Sequence, residues 1–270
     1  MPDNRILFVS QEIAPYLPKS EISTLGRELP KAMQAKGYEP RIFMPKYGSV
    51  NERRNQLHEV IRLSGLNIVI DDADHPLILK VASMQPSRIQ VYFVDNDDYF
   101  QKLDDDQDPV GSNRNDNDER AIFFARGTME TVKKLRWEPK IVHCSGWMTA
   151  LLPMYLRRMY ADDPSFAGAK IVYTVLPGEI TGKLDTRILE KLHTDGMSPD
   201  EINEFTDIPA DTSMMHRLAL RYCDAVVFNT ENPDPELLKY AEQRNLPMLM
   251  HDAAADNPDA YDSFYKSLTE

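Results

Sequence analysis

Glycine is missing where a phosphate-binding fold would need it. Ile6-Leu-Phe-Val9 is a short apolar run bounded by polar residues, the pattern of a buried parallel strand. Yet between Val9 and Leu29 the only glycine is Gly26. A dinucleotide-binding turn needs several glycines directly after its first strand, so that backbone N–H groups can close on the phosphates. An autonomous site of that kind is therefore excluded. Cysteine is scarce too. Cys144 and Cys223 are the only two, both in apolar stretches, which reads as reduced core thiols rather than a disulfide framework. The six histidines are dispersed, with no His-x-x-x-His or Cys-x-x-Cys spacing, so no structural zinc is expected and no metal ligands are assigned. No Gly-x-Ser-x-Gly or other nucleophile motif occurs. No apolar run reaches the roughly 18–20 residues of a membrane span. Positive charge is in deficit: 31 Lys and Arg against 43 Asp and Glu give a net charge of −12. Such a chain lacks the basic face that nucleic acid or an anionic membrane requires, and neither is an expected partner. Asp3 and Asn4 lead straight into the first strand with no signal-peptide pattern, so a soluble, cytoplasmic protein is expected.

What is present suits one large core. Hydrophobic residues make up 42% and charged residues 27%, near the globular average, which argues against wholesale disorder. After Ile6–Val9, apolar positions Leu25, Leu29, Ala32 and Met33 fall at helical spacing and Gly37 supplies a stop. Arg41–Met44, Ile141–Cys144, Ile171–Val175 and Ala225–Phe228 read as further strands. Ile68–Ile70, Leu77–Val81 and Gln90–Val94 read as a small antiparallel insertion. Helices are predicted from Asp118 to about Leu135, over Trp147–Met159, from Ser198-Pro-Asp-Glu201 onward, over Ser213–Tyr222 and over Asp234–Gln243. Strands alternating with helices of this length predict an α/β fold with a doubly wound, mainly parallel sheet. The expected organisation is one domain over residues 1–245 and a tail helix within 246–270, with Tyr261, Phe264, Tyr265 and Leu268 on one face. Residues 95–119, rich in Asp and Asn, are expected to be a solvated loop. Asp104-x-Asp106-x-Asp108 imitates the start of a calcium loop, but Pro109 stands at the required glycine and Asn115 at the closing glutamate.

Four stretches carry a family resemblance. They are Arg5-Ile-Leu-Phe-Val-Ser-Gln-Glu-Ile-Ala-Pro-Tyr16 and onward to Gly48; Val91-Tyr-Phe-Val-Asp-Asn96 with Glu119–Ala125 and Trp137–Leu156; Ile171-Val-Tyr-Thr-Val175; and Ala219–Phe228. Together they resemble the first domain of bacterial glycogen and starch synthases. These are GT-B-type glucosyltransferases that close two Rossmann-like lobes over a sugar nucleotide. The resemblance implies the fold of one such lobe. The second lobe, with its donor-contacting arginine and lysine and its Glu-rich motif, has no counterpart among these 270 residues.

The site residues that the resemblance points to are altered. Where the family has Lys-x-Gly-Gly for the donor phosphate, an ungapped alignment sets Pro18 against the lysine and Ser20-Glu21 against the glycines, with Lys19 one position away. Glu21 would put a carboxylate where phosphate belongs, and like charges repel. The family's His-x-His-Asp-Trp reads His143-Cys144-Ser145-Gly146-Trp147, so the second histidine and the aspartate are gone. Serine is shorter than histidine and never cationic. The family's His-Asn after the next strand is Leu176-Pro177. The degenerate cleft is thus assigned Lys19, Ser20, Glu21, His143, Ser145, Gly146, Trp147 and Leu176. No catalytic residue and no cofactor is assigned.

Three readings follow. The chain is a non-catalytic descendant serving as a binding or regulatory module. Alternatively it is an α-glucan glucosyltransferase subunit, moving glucose from ADP-glucose, that borrows a nucleotide-binding half from another chain. Alternatively the cleft has been recruited for a sugar or a small anion held by Lys19, Arg27 or Lys46. Expected ligands are ADP-glucose or a glucan. The loops at Tyr16–Glu21, Ser145–Trp147 and Leu176–Glu179 are expected to line one concavity, capped by the tail, a protein partner or a second copy, with Trp147 and Leu176 as apolar anchors.

Overall fold

The apolar run around Leu7 becomes the centre of a parallel sheet. A computed structural model describes residues 4–103, 107–255 and 257–269. Strand β1 (Arg5–Ser10) leads through a ten-residue loop into α1 (Glu21–Ala35) and β2 (Glu39–Pro45). An insertion follows, made of β3 (His58–Glu59), β4 (Leu66–Ile70) and β5 (Ala73–Met84), and the chain returns through β6 (Ile89–Asp95). Helix α2 (Asn117–Leu135) crosses to β7 (Ile141–Ser145), then come α3 (Leu152–Arg158) and β8 (Lys170–Val175). Next are α4 (Ile188–Thr194), α5 (Pro199–Asn203), α6 (Thr212–Tyr222) and β9 (Ala225–Phe228). The last elements are α7 (Pro235–Gln243), β10 (Met248–Met250), α8 (His251–Ala254) and α9 (Pro258–Thr269).

The sheet runs in the order β10-β9-β8-β7-β1-β2-β6-β5-β3, with β4 paired to β5. All pairings from β10 to β6 are parallel; β3, β4 and β6 pair with β5 antiparallel. From β1 the chain winds one way to β2 and β6, then restarts at β7 and winds the other way to β10. The strand order therefore reverses between β1 and β7, and the loops leaving Ser10 and Ser145 part at that point. In an open α/β sheet, that is where ligands bind.

Neighbouring residues along a strand face opposite sides, and both sides here are covered. His143 on β7 meets Tyr265 of α9 on one face, while Tyr173 on β8, in register with Cys144, meets His216 of α6 on the other. Strands buried twice must be apolar at nearly every position, which is why β1, β7, β8 and β9 were legible as uninterrupted runs.

Several local expectations meet their causes here. The capping box at α5 is complete: Ser198 accepts from the Glu201 N–H, and Glu201 accepts from the Ser198 N–H at 2.9 Å. The helix expected over Trp147–Met159 is broken into a 3-10 turn, Trp147–Thr149, and then α3. Pro153 has no N–H to give to a preceding turn, and it sits in the first turn of α3, where none is needed.

The 95–119 segment is a correction. Asp95, Asn96, Tyr99, Phe100, Asn117 and Asp118 are buried, and the stretch folds around Arg120, which has no exposed surface. Its guanidinium donates to the carbonyls of Tyr99 (2.8 Å), Gly111 (2.8 Å) and Val110 (2.6 Å) and to Asn117 Oδ1 (2.6 Å). Burial pulls its pKa down to about 10, so it remains a cation, solvated by backbone oxygens instead of water. Asp104 and Asp106 of the calcium-like string lie outside the described residues.

The tail is a second correction. Helix α9 lies along the sheet face at His143, and only its first turn, with α8, reaches the carboxyl-end residues Glu21 and Asn229. Tyr261 and Tyr265 are buried, Phe264 and Leu268 partly so. Asp259 pairs with Lys36, and Asp262 accepts from the Tyr38 hydroxyl at 2.7 Å, both just beyond the end of α1. A tyrosine-rich helix gains more by covering an open apolar face than by bridging polar loops. Among the described residues no helix is long and apolar enough to cross a membrane.

Candidate functional site

The loop leaving β1 is held from three sides. Gln11 is buried; its Oε1 accepts from the Met148 N–H at 3.2 Å, and its Nε2 donates to Glu12 at 3.2 Å. Glu12 accepts a further bond from Ser20 Oγ at 3.0 Å. Burial raises the Glu12 pKa above the usual glutamate range, against the pull of those two donors. Gly26 explains its own presence: a Cβ there would lie 2.4 Å from the Glu12 carbonyl oxygen, so only glycine lets α1 press against this loop. Gln11 and Glu12 were not singled out from sequence. Their position directly after the first strand, at the point where strand order reverses, is the signal that marks them.

The N-terminus of α1 is closed by its own side chains. Ser20 Oγ accepts from the Ser23 N–H at 3.0 Å, and Ser23 Oγ accepts from the Ser20 N–H at 2.8 Å. Those N–H groups are among the donors that a phosphate at a helix N-terminus would use. Glu21 is exposed in the first turn, where a negative charge favours the helix dipole and opposes an incoming anion. Lys19 is exposed and forms no ion pair among the described residues.

The other cations considered for an anion are engaged, which corrects that reading for them. Lys46 is only 3% exposed, 3.0 Å from Glu52, and donates to Gln101 at 3.1 Å. Arg27 pairs with Glu28 at 3.4 Å.

At the end of β7, Ser145 is buried and its carbonyl accepts from the Gln11 N–H at 3.1 Å. Gly146 takes φ +86°, and a Cβ there would stand 2.7 Å from Gln11 Oε1. Glycine at this position is thus fixed by backbone strain and by the Gln11 side chain. His143 is two residues back along the strand and has no solvent exposure. It is bonded between Tyr265 and Thr174 (2.5 Å to Thr174 Oγ1), and burial pulls its pKa down to about 3. Its imidazole is therefore a neutral core group under α9 and is not presented to the cleft. Trp147 and Leu176 are 2% and 3% exposed. As apolar side chains at the roots of their loops they fold inward, so neither is an anchor on an open concavity. The loops do meet: Gly146 N donates to the Thr174 carbonyl at 3.3 Å, and Gly178 approaches Ile22 at the start of α1.

Among the described residues one acidic trio, Asp118, Glu119 and Asp185, has metal-like spacing. Its centre is filled by the Lys191 ammonium, 2.8, 2.7 and 2.8 Å from the three carboxylates. Lys191 is 6% exposed, and its partners hold its pKa up. The trio is therefore a partly buried ion cluster, closed by Lys191, that positions α4 on α2.

Comparison with known proteins agrees with this architecture. The chain is 36% identical over 189 residues to the glycogen synthase of Chlorobium luteolum, covering 70% of this chain and 39% of that protein. It is 33% identical over 232 residues to the glycogen synthase of Chlorobium limicola, covering 83% and 47%. The chain thus spans about half the length of the curated relatives it matches, or less. Among solved structures, the catalytic domain of starch synthase IV from Arabidopsis thaliana, bound to ADP and acarbose, superposes with a TM-score of 0.66 at 17% identity over 91% of this chain and 51% of that one. Residues 5–249 match the family model described as the starch synthase catalytic domain, and with β1 through β10 forming its Rossmann-like sheet, the chain belongs to that family.

Proposed function

We propose that this domain is a glycogen/starch synthase-type lobe that does not hold a sugar nucleotide at the strand-order reversal and transfers no glucose by itself, serving instead as a binding module. The observation that carries this reading is the closed N-terminus of α1. Ser20 and Ser23 satisfy each other, and carboxylates of Glu12 and Glu21 flank the place where a donor phosphate would sit. Two like charges beside a dianionic pyrophosphate oppose binding, and the helix end has fewer free N–H groups to offset them. Ser145 and Gly146 add no cation or imidazole, and His143 is locked away beneath α9. Function resides in such sites rather than in the fold that carries them.

The second reading, a glucosyltransferase subunit completed by a nucleotide-binding partner, is favoured by family membership and by Lys19, an exposed loop residue whose ammonium forms no ion pair among the described residues. Thermal-shift titration separates the two. A ligand at about a hundred times its Kd stabilises the fold by about 2.7 kcal/mol. We expect no shift with ADP-glucose or ADP and no incorporation of labelled glucose into glycogen by the purified chain. A saturable ADP-glucose shift that Lys19→Ala abolishes would overturn the proposal.

A further inference from the structure

Between the first turns of α1 and the start of the tail lies a cavity of about 550 Å³. It opens beside the carboxyl end of β9 and shares Glu21 with the end of the loop that leaves β1. Its wall is amphipathic. Leu25, Leu29, Ala254 and Pro258 supply apolar surface, while Glu21, Thr24, Glu28, Asn229 and His251 supply hydrogen-bonding groups. Among the described residues no lysine or arginine lines it. Tyr261 also lines the cavity; the residue is 2% exposed and its hydroxyl has no hydrogen-bond partner among the described residues. The buried Nδ1 of His251 likewise has none. A buried polar atom without a partner is costly, roughly 1–3 kcal/mol each.

The chemistry of the wall selects the ligand. An ionised phosphate only accepts hydrogen bonds and would meet the Glu21 carboxylate with no cation among the described lining residues. Ammonium groups only donate, and of the two carboxylates Glu28 is already paired to Lys31 at 2.6 Å. A sugar hydroxyl donates and accepts at once, so it matches carboxylate, amide, hydroxyl, phenol and either imidazole tautomer. The C–H face of a pyranose ring suits the apolar patches, and the volume lies in the range of small-molecule sites.

We propose that this cavity is a binding site for a neutral carbohydrate of one or two pyranose rings, seated between α1 and the tail. The proposal goes beyond the reading above and does not rest on it, since no nucleotide is involved. A bound sugar would bridge Glu21 and Thr24 on α1 to Tyr261 on α9, and so would hold the tail in place.

Calorimetric titration of the full chain with maltose tests this, with Thr24→Trp to fill the cavity, Asn229→Ala to remove one polar partner, and Glu21→Gln to remove the exposed charge. We expect saturable millimolar binding, weakened roughly tenfold or more by Thr24→Trp and several-fold by Asn229→Ala. Glu21→Gln, which keeps an acceptor, should change it less than about threefold. Maltose should also slow amide exchange across residues 257–269. Absence of saturable binding, affinity unchanged in both Thr24→Trp and Asn229→Ala, or preferential binding of spermidine that Glu21→Gln abolishes would overturn the proposal. An ADP-glucose signal insensitive to these variants would count against the function proposed above and leave this site standing.

Discussion

Acid should loosen this fold through His143, and the size of the effect follows from its burial. The imidazole has no solvent contact, and its pKa is pulled down to about 3. In the unfolded chain an ordinary histidine titrates near 6.5. A depressed folded-state pKa contributes stability that is present above the unfolded value and is lost as pH falls through the window from about 6.5 to about 3. At roughly 1.4 kcal/mol per pH unit, moving from pH 7 to pH 4.5 removes on the order of 2–3 kcal/mol through this residue alone. His216, bonded to Tyr173 at 2.7 Å with its pKa pulled down to about 4, adds a similar loss. Against a typical total stability of about 5–15 kcal/mol, the two effects together are large. Glu12 and Asp118, whose pKa values burial raises, change in the opposite direction, so the comparison must be differential. His143→Gln keeps hydrogen-bonding capacity toward Thr174 and Tyr265 and removes the titration. Urea unfolding followed by the fluorescence of the buried Trp137 and Trp147 at pH 7 and 4.5 gives the four stabilities needed. The variant should be less stable at pH 7, yet lose about 2–3 kcal/mol less on acidification. Parallel losses in wild type and variant would show that His143 does not stay neutral in the fold.

Three further outcomes are expected. Arg120→Met should cost roughly 3–5 kcal/mol and accelerate amide exchange across residues 107–116, because three carbonyls and Asn117 lose their donor in a dry site; near-wild-type stability by urea unfolding would contradict the role given to that guanidinium. Lys191→Met should destabilise by a similar amount, since it leaves three carboxylates crowded without a cation, and millimolar calcium should recover part of the loss in thermal unfolding while leaving wild type unchanged. Gly146→Asp, which restores the family's acidic residue, should lower stability by about 1–3 kcal/mol through its positive φ and its contact with Gln11, and should not create donor binding in calorimetric titration.

The layers of the fold were readable because burial on both faces demands continuous apolar strands, and Ile141–Cys144 or Ala225–Phe228 allow no other placement. The tail's stripe of Tyr261 and Tyr265 showed that α9 needed an apolar face, but not which one. That depended on His143, whose polar name in a strand reads as chemistry until its two partners, 31 and 122 residues away, are seen. Residues 95–119 were misread for a related reason. Their acids and amides look solvated one at a time, while the fully buried cation that the stretch folds around, Arg120, sits inside a helix where nothing in the local pattern marks it as buried. At the candidate site the altered motif was legible, but the mutual capping of Ser20 and Ser23 and the wedging of Gln11 against Gly146 are contacts between loops, and spacing alone does not encode them.

The docking of α9 also has a kinetic side. Lys36 and Asp259 are 223 residues apart in sequence, and His143 and Tyr265 are 122. Contacts so distant form late, because loop closure must be achieved before they contribute, and a high share of such contacts slows folding. During synthesis the sheet can therefore assemble with Phe8, His143 and Thr174 on an uncovered face until residue 265 has cleared the ribosome. At a translation rate of about 5–20 residues per second, the interval from His143 to Tyr265 lasts on the order of ten seconds. An apolar sheet face open for that long is a substrate for holdase chaperones, and truncation before Pro258 should raise the share of chain recovered bound to them or in inclusion bodies.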